Sequence, residues 1–126
     1  MKQHILKLID KEHILERRRV VVPISKQAEF RLDYDECEDN DLIDYPLSEE
    51  KFYELFDMGF FHQLNAELDV MIGDYEQEEI LENKLDLLKN FMSNFTHQHP
   101  DNATLNDLNE LFKVAYNNKT GVFFFF

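Results

Sequence analysis

The run Val122 to Phe126 reads Val-Phe-Phe-Phe-Phe, with no polar residue in it. A strand with one wet face alternates apolar and polar side chains, and this run does not alternate. It fits an interior strand whose two faces are both covered, as in a sheet packed by helices. On an exposed edge, four adjacent phenylalanines would invite pairing with other chains. The chain must therefore supply both further strands and helices to cover them.

The expected elements follow in order. Residues 1–19 suit either a helix, through Ile5, Leu8 and Ile9, or a short strand, through Leu6, Leu8 and Ile14, followed by a turn. Val20, Val21, Val22 and Ile24 are β-branched and predict a strand, with Pro23 placing it at a sheet edge or strand end. Phe30 to Asp35 alternates, which predicts a strand with Phe30, Leu32 and Tyr34 buried and Arg31, Asp33 and Asp35 wet. Glu36 to Asp44 has little apolar periodicity and predicts an exposed acidic loop stopped by Pro46.

Ser48 is a candidate N-cap for a helix from Glu49 to Asp57, carrying Phe52, Leu55 and Phe56. Glu49 and Glu50 sit favourably at its positive end, and Gly59 ends or bends it. Phe60, Phe61, Leu64, Leu68, Met71 and Ile72 predict a second helix up to Gly73. A third is expected from about Asp74 to Phe95, with Leu81, Leu85, Leu88, Met92 and Phe95 on one stripe and Ile80, Leu87 and Phe91 widening it. After Pro100 and Asp101, Thr104 and Asp107 resemble a capping pair. The helix that follows carries Leu105, Leu108, Leu111, Phe112 and Ala115. The expected fold class is α+β, a single domain over 1–126. Early strands and the C-terminal strand form a small sheet packed by about four helices.

The 126 residues suit one domain, and 44% hydrophobic with 13% aromatic content is too high for a disordered acidic tail. Cys37 is the single cysteine, so no internal disulfide framework is expected. No secretory signal is visible near Met1, and the apolar runs are too short to span a bilayer. The expectation is a soluble, cytoplasmic protein.

Charge narrows the partners. The net charge is −13. Between Asp33 and Glu82 there are 18 acids against one base, Lys51, a local balance of −17. Such a field disfavours nucleic acid and anionic membrane as partners and steers a basic protein inward. Arg17, Arg18 and Arg19 form the one basic cluster, a solvated turn or an internal neutraliser of the acidic middle.

Motifs for chemistry fail one by one. A catalytic carboxylate needs a desolvated, tuned setting, and these acids look solvated. The twelve-residue calcium loop starting at Asp39 has Ile43 at its fifth position and Asp44 where glycine should turn. His97 and His99 form H-x-H without partner ligands, so a polar inter-helix loop is the plainer reading. Cys37 between Glu36 and Glu38 makes a poor nucleophile. With 3 Gly there is no phosphate cradle or dinucleotide fingerprint. Neither metal nor cofactor is expected, and the chain does not read as an enzyme.

The segment Met58-Gly-Phe-Phe-His-Gln-Leu-Asn65, with Met71-Ile-Gly-Asp-Tyr-Glu-Gln-Glu-Glu-Ile80, resembles small acidic bacterial proteins carrying an "(I/L)N…LIDDYE-E-I" segment. Those proteins close on a glycine and an aromatic strand, as Thr120-Gly121-Val-Phe-Phe-Phe-Phe126 does here. Many resemble immunity proteins of polymorphic toxin and contact-dependent growth inhibition systems. Gly73 replaces one acidic position of the pattern. The resemblance implies cytoplasmic neutralisation of a cognate toxin domain, often a basic nuclease, by binding and without catalytic residues.

Together these readings make the expected partner a basic toxin domain whose active site the acidic surface occludes. The candidate contacts are Asp35, Glu36, Glu38, Asp39, Asp41 and Asp44 in the loop, with Asp74, Tyr75, Glu76, Glu78 and Glu79 as a second patch. The second patch also has a structural reading, as an acidic helix start. Two alternatives stay open: an acidic adaptor or nucleic-acid mimic aimed at a host DNA-binding protein, and a metal-dependent enzyme using His97, His99 and carboxylates.

Overall fold

The computed structural model describes residues 16–126, so the element expected over 1–19 lies outside the described residues up to position 15. The elements run β1 (Arg19–Pro23), α1 (Lys26–Asp33), β2 (Leu42–Pro46), α2 (Glu49–Asp57), α3 (Phe60–Leu68) and β3 (Gln77–Ile80). A 3-10 turn, Glu82–Lys84, leads to α4 (Leu85–Gln98), α5 (Ala103–Asn118) and β4 (Val122–Phe125). The fold is α+β: a four-stranded antiparallel sheet in the order β2-β1-β4-β3, packed by helices.

β4 is interior, flanked by β1 and β3, and both its faces are covered. Val122 and Phe124 join Val20, Val22 and Ile80 under the large core formed with α2 to α5. Phe123 packs with Val21, Leu42 and Leu32 of α1 on the opposite face. Fully burying one such phenylalanine stabilises by roughly 2 kcal/mol, so the alternation is absent because neither face meets water. Phe126 closes an aromatic cluster with Phe52 and Phe61, at ring separations of 5.5 and 5.7 Å. Pro23 sits at a strand end, where its missing N–H costs no ladder bond.

Several expectations are corrected. Residues 30–35 are not a strand: 30–33 close α1, Tyr34 is its C-cap and Asp35 has φ 57°, so Asp33 and Asp35 are not on a strand's wet face. Ser25 caps this helix by accepting the Ala28 N–H at 3.0 Å. Ala28 and Leu32, four apart, are its buried pair, while Phe30 and Tyr34 are each 62% exposed. Six alternating residues fit both periods, and the N-cap decides between them.

The expected exposed loop 36–44 ends in a strand instead. β2 pairs with β1 from Leu42↔Pro23 to Pro46↔Arg19. Its short apolar content hid it, because an edge strand owes its place to backbone pairing with β1.

The long helix expected from Asp74 begins only at Leu85. Tyr75 adopts a left-handed backbone with φ 65°, and Gln77–Ile80 adds to the sheet edge beside β4. Glutamates are weak strand formers, so the β4 edge, not local propensity, sets this conformation. Leu81 and Leu87 are exposed, off the buried stripe of Leu85, Leu88, Phe91, Met92 and Phe95. The second helix also stops early, at Leu68, with Asp69 in the left-handed region.

Glu49–Asp57 forms the helix that the sequence predicts, with Ser48 accepting the Lys51 N–H at 3.2 Å. The cap of α5 is Asn102, accepting the Leu105 N–H at 2.9 Å, not Thr104, which is buried.

Candidate functional site

The three consecutive arginines leave the start of β1 for two acidic neighbourhoods, Asp74 and Asp44. Arg18 donates from Nε to Asp74 Oδ1 at 3.0 Å and from Nη2 to Oδ2 at 2.9 Å. Arg17 reaches the same Asp74 Oδ1 at 2.8 Å and lies over the Tyr75 ring, 3.8 Å from its centroid. Arg19 is buried and paired with Asp44 on the neighbouring strand. The cluster is thus the internal neutraliser of the acidic middle, one of its two expected roles.

This divides the expected partner residues. Asp41 is 4% exposed, takes Arg31 Nε and Nη2 at 2.7 Å each, and accepts the Glu38 N–H at 2.7 Å. The Asp44 side chain is also buried against Arg19. Glu38 lies 3.5 Å from Arg31, and Asp35 and Asp39 are exposed but not without partners. Glu36 is exposed. The loop therefore carries more structural work than the sequence implies.

Asp74 is held by two arginines, and Arg18 in first place keeps its carboxyl below the usual range. Glu78 accepts the Met71 N–H through Oε2 and its neighbour Glu79's N–H through Oε1, both at 2.9 Å, which satisfies a donor on the sheet edge. Glu79 is exposed, yet desolvation and the neighbouring Asp33, Glu78 and Glu29 raise its pKa. Burial pushes the Cys37 thiol up, with Asp41 adding to it. His97 is exposed and the His99 ring rests 4.7 Å from Phe95. No group of three or more His, Cys, Asp or Glu among the described residues is placed to hold a metal ion.

A different surface assembles around Tyr75, and it includes residues that pattern reading passed over. Arg18 lies 4.6 Å over the Phe52 ring and 5.7 Å from Tyr53, whose ring is 6.2 Å from Phe56. Tyr53, Phe56 and Tyr75 are all exposed, the last at 79%. The same two elements carry the exposed carboxylates Glu49, Glu50 and Asp57 on α2 and Glu76 beside Tyr75, whereas Glu54 accepts from Asn102 at 3.3 Å. The Arg18–Asp74 bridge ties the outer face of α2 to the turn at 74–76, making one surface of aromatics and acids. Phe56 sits at the right spacing for the buried stripe, so its period alone hid it. Its exposure follows from where α2 rests on the core.

The residues of the "(I/L)N…" segment hold this turn in place. Asn65 donates to the Ile72 carbonyl at 2.9 Å and accepts the Ile72 N–H at 2.8 Å, bracketing the irregular stretch after α3. Asp74, Glu78 and the buried Ile80 are tied down as described above. At Gly73 an added Cβ would meet nothing closer than Glu76 at 3.8 Å, which is why another residue can stand there. The segment is a scaffold for the surface.

No protein-family model matches the chain, and no curated protein or solved structure is significantly similar to it. No helix among the described residues is long and apolar enough to cross a membrane.

Proposed function

We propose that the chain is an immunity protein that binds a cognate basic toxin domain, a nuclease in the first instance, and occludes its active site. The observation that carries this reading is the surface on α2 and the 74–76 turn. It presents three exposed aromatic side chains on elements that also carry the exposed carboxylates Glu49, Glu50, Asp57 and Glu76. Aromatic anchors supply contact area at low entropic cost, and the surrounding acids steer a basic partner and fix its register. A nuclease groove that holds phosphates would accept the same carboxylates in their place. The net charge of −13 and the resemblance of roughly 58–82 and 117–126 to toxin-immunity proteins support it further.

The test is co-expression with the product of the adjacent reading frame. On this reading that product is lethal alone, tolerated together with this chain, and co-purifies with it. A harmless neighbour, or a lethal one that this chain neither binds nor relieves, overturns it.

A further inference from the structure

A concavity lined by two lysines lies far from the acidic face in sequence, between the antiparallel helices α4 and α5. It is a groove of ≈ 440 Å³, inside the size range of small-ligand sites. Leu88, Met92 and Phe112, all buried from solvent at their helix interface, form its floor. Each wall contributes one lysine, Lys89 from α4 and Lys113 from α5. Among the described residues that line it there is no aspartate or glutamate, in a chain whose net charge is −13.

The two lysines are not consumed by buried partners. Lys89 Nζ sits 4.4 Å from the Tyr116 ring centroid, a contact that keeps the ammonium over the groove without neutralising it. Lys113 pairs only with Glu110, one turn away at 2.9 Å, and both side chains are well exposed. Exposed pairs of this kind are worth little and yield readily to a better-placed anion. The groove runs along α4 from Leu85 to Thr96, a span of about 16 Å at 1.5 Å per residue.

We infer that this groove binds a small amphiphilic anion. The apolar body lies along the lysine stems and the Tyr116 ring, above the buried Leu88, Met92 and Phe112, and the carboxylate or similar headgroup is held between Lys89 and Lys113. The charge complementarity is local and opposite in sign to the rest of the molecule, so the site is separate from the toxin-binding surface and does not depend on it.

The experiment is an NMR titration of the full chain with decanoate, kept below its micelle concentration, with decyltrimethylammonium and decanol as matched probes. Decanoate should saturate, with shifts centred on residues 85–96 and 109–117, and should bind about tenfold tighter than either other probe. Joint K89Q and K113Q substitution should remove that preference, whereas E110Q should tighten binding by freeing Lys113. Both lysines are exposed, so these variants keep the fold, which the unperturbed remainder of the spectrum verifies.

Absence of saturation overturns the inference. So does equal binding of the cation or alcohol, or a decanoate affinity unchanged by K89Q and K113Q. Shifts of the same residues with protein concentration alone would assign the groove to a second copy and overturn it as well. Each result is independent of whether the toxin complex forms.

Discussion

Arg18 and Asp74, 56 positions apart in sequence, meet in a two-pronged ion pair that ties the entry of β1 to the turn before β3. The Arg18 side chain is 9% exposed and that of Asp74 21%, so water screens the pair only in part. The same carboxylate receives Arg17, whose guanidinium covers Tyr75. One acid therefore fixes both a strand end and the aromatic centre of the proposed interface.

Replacing Asp74 by alanine leaves Arg18 largely buried without a counter-ion. The expected loss is about 2 kcal/mol, below the range for a fully buried pair because Asp74 is partly wet. Urea unfolding of D74A measures it. A loss within error of zero would show that the pair is ornamental.

The pH dependence of that pair has a defined sign. Asp74 binds its proton more weakly folded than unfolded, so its contribution is present above the unfolded aspartate value of about 4. It is lost as pH falls through the lower folded value. The stability gap between wild type and D74N should therefore close on acidification and stay constant from pH 6 to 8 by the same linkage. A gap that persisted in strong acid would point to packing instead of charge.

Tyr45 acts at the opposite limit. Burial, with the hydrogen bond to Asp107 at 3.0 Å, raises its hydroxyl to about 12. The unfolded value is about 10, so the folded state retains its proton longer and loses stability as pH rises between the two. Titration of phenolate absorbance should show one late tyrosine, absent in Y45F, and Y45F should lose less stability across that alkaline window.

Two glycines should respond differently to alanine. At Gly121 an added Cβ would lie 2.9 Å from Glu29 Oε2, the group that accepts the Gly121 N–H, and 3.2 Å from the Ile80 carbonyl. G121A should cost about 1–3 kcal/mol through the displaced, partly buried acceptor. G73A, with its nearest contact at 3.8 Å, should fall within about 0.5 kcal/mol of wild type, as ordinary surface changes do. Thermal melts of the two variants compare them directly.

At the proposed interface, joint charge reversal of Glu49, Glu50, Asp57 and Glu76 should slow association with the proposed basic partner about tenfold or more at low salt, and less at high salt. Y53A and Y75A should act mainly on dissociation. D41K should instead unfold the domain, because Asp41 is buried on Arg31. Surface binding kinetics alongside circular dichroism separate the two classes. Unchanged association for the quadruple variant would exclude this face.

Whatever rests on burial and capping within one element could be read before the chain was folded. The unalternating run at Val122 required an interior strand, and β4 is one. Ser48 with Phe52 and Leu55 required a helix, and α2 spans Glu49–Asp57. The excess of acid likewise needed no structure to be seen. Tertiary structure decided where pairing across the chain outweighs local preference. Gln-Glu-Glu-Ile became β3 because β4 offered an edge, and Leu42–Pro46 became β2 because β1 did. Only the fold could sort the acids, since a carboxylate's role depends on whether an arginine from a distant segment reaches it. Asp41, Asp44 and Asp74 were reached, while Glu49, Glu50 and Glu76 remained on the exposed surface around Tyr53 and Tyr75.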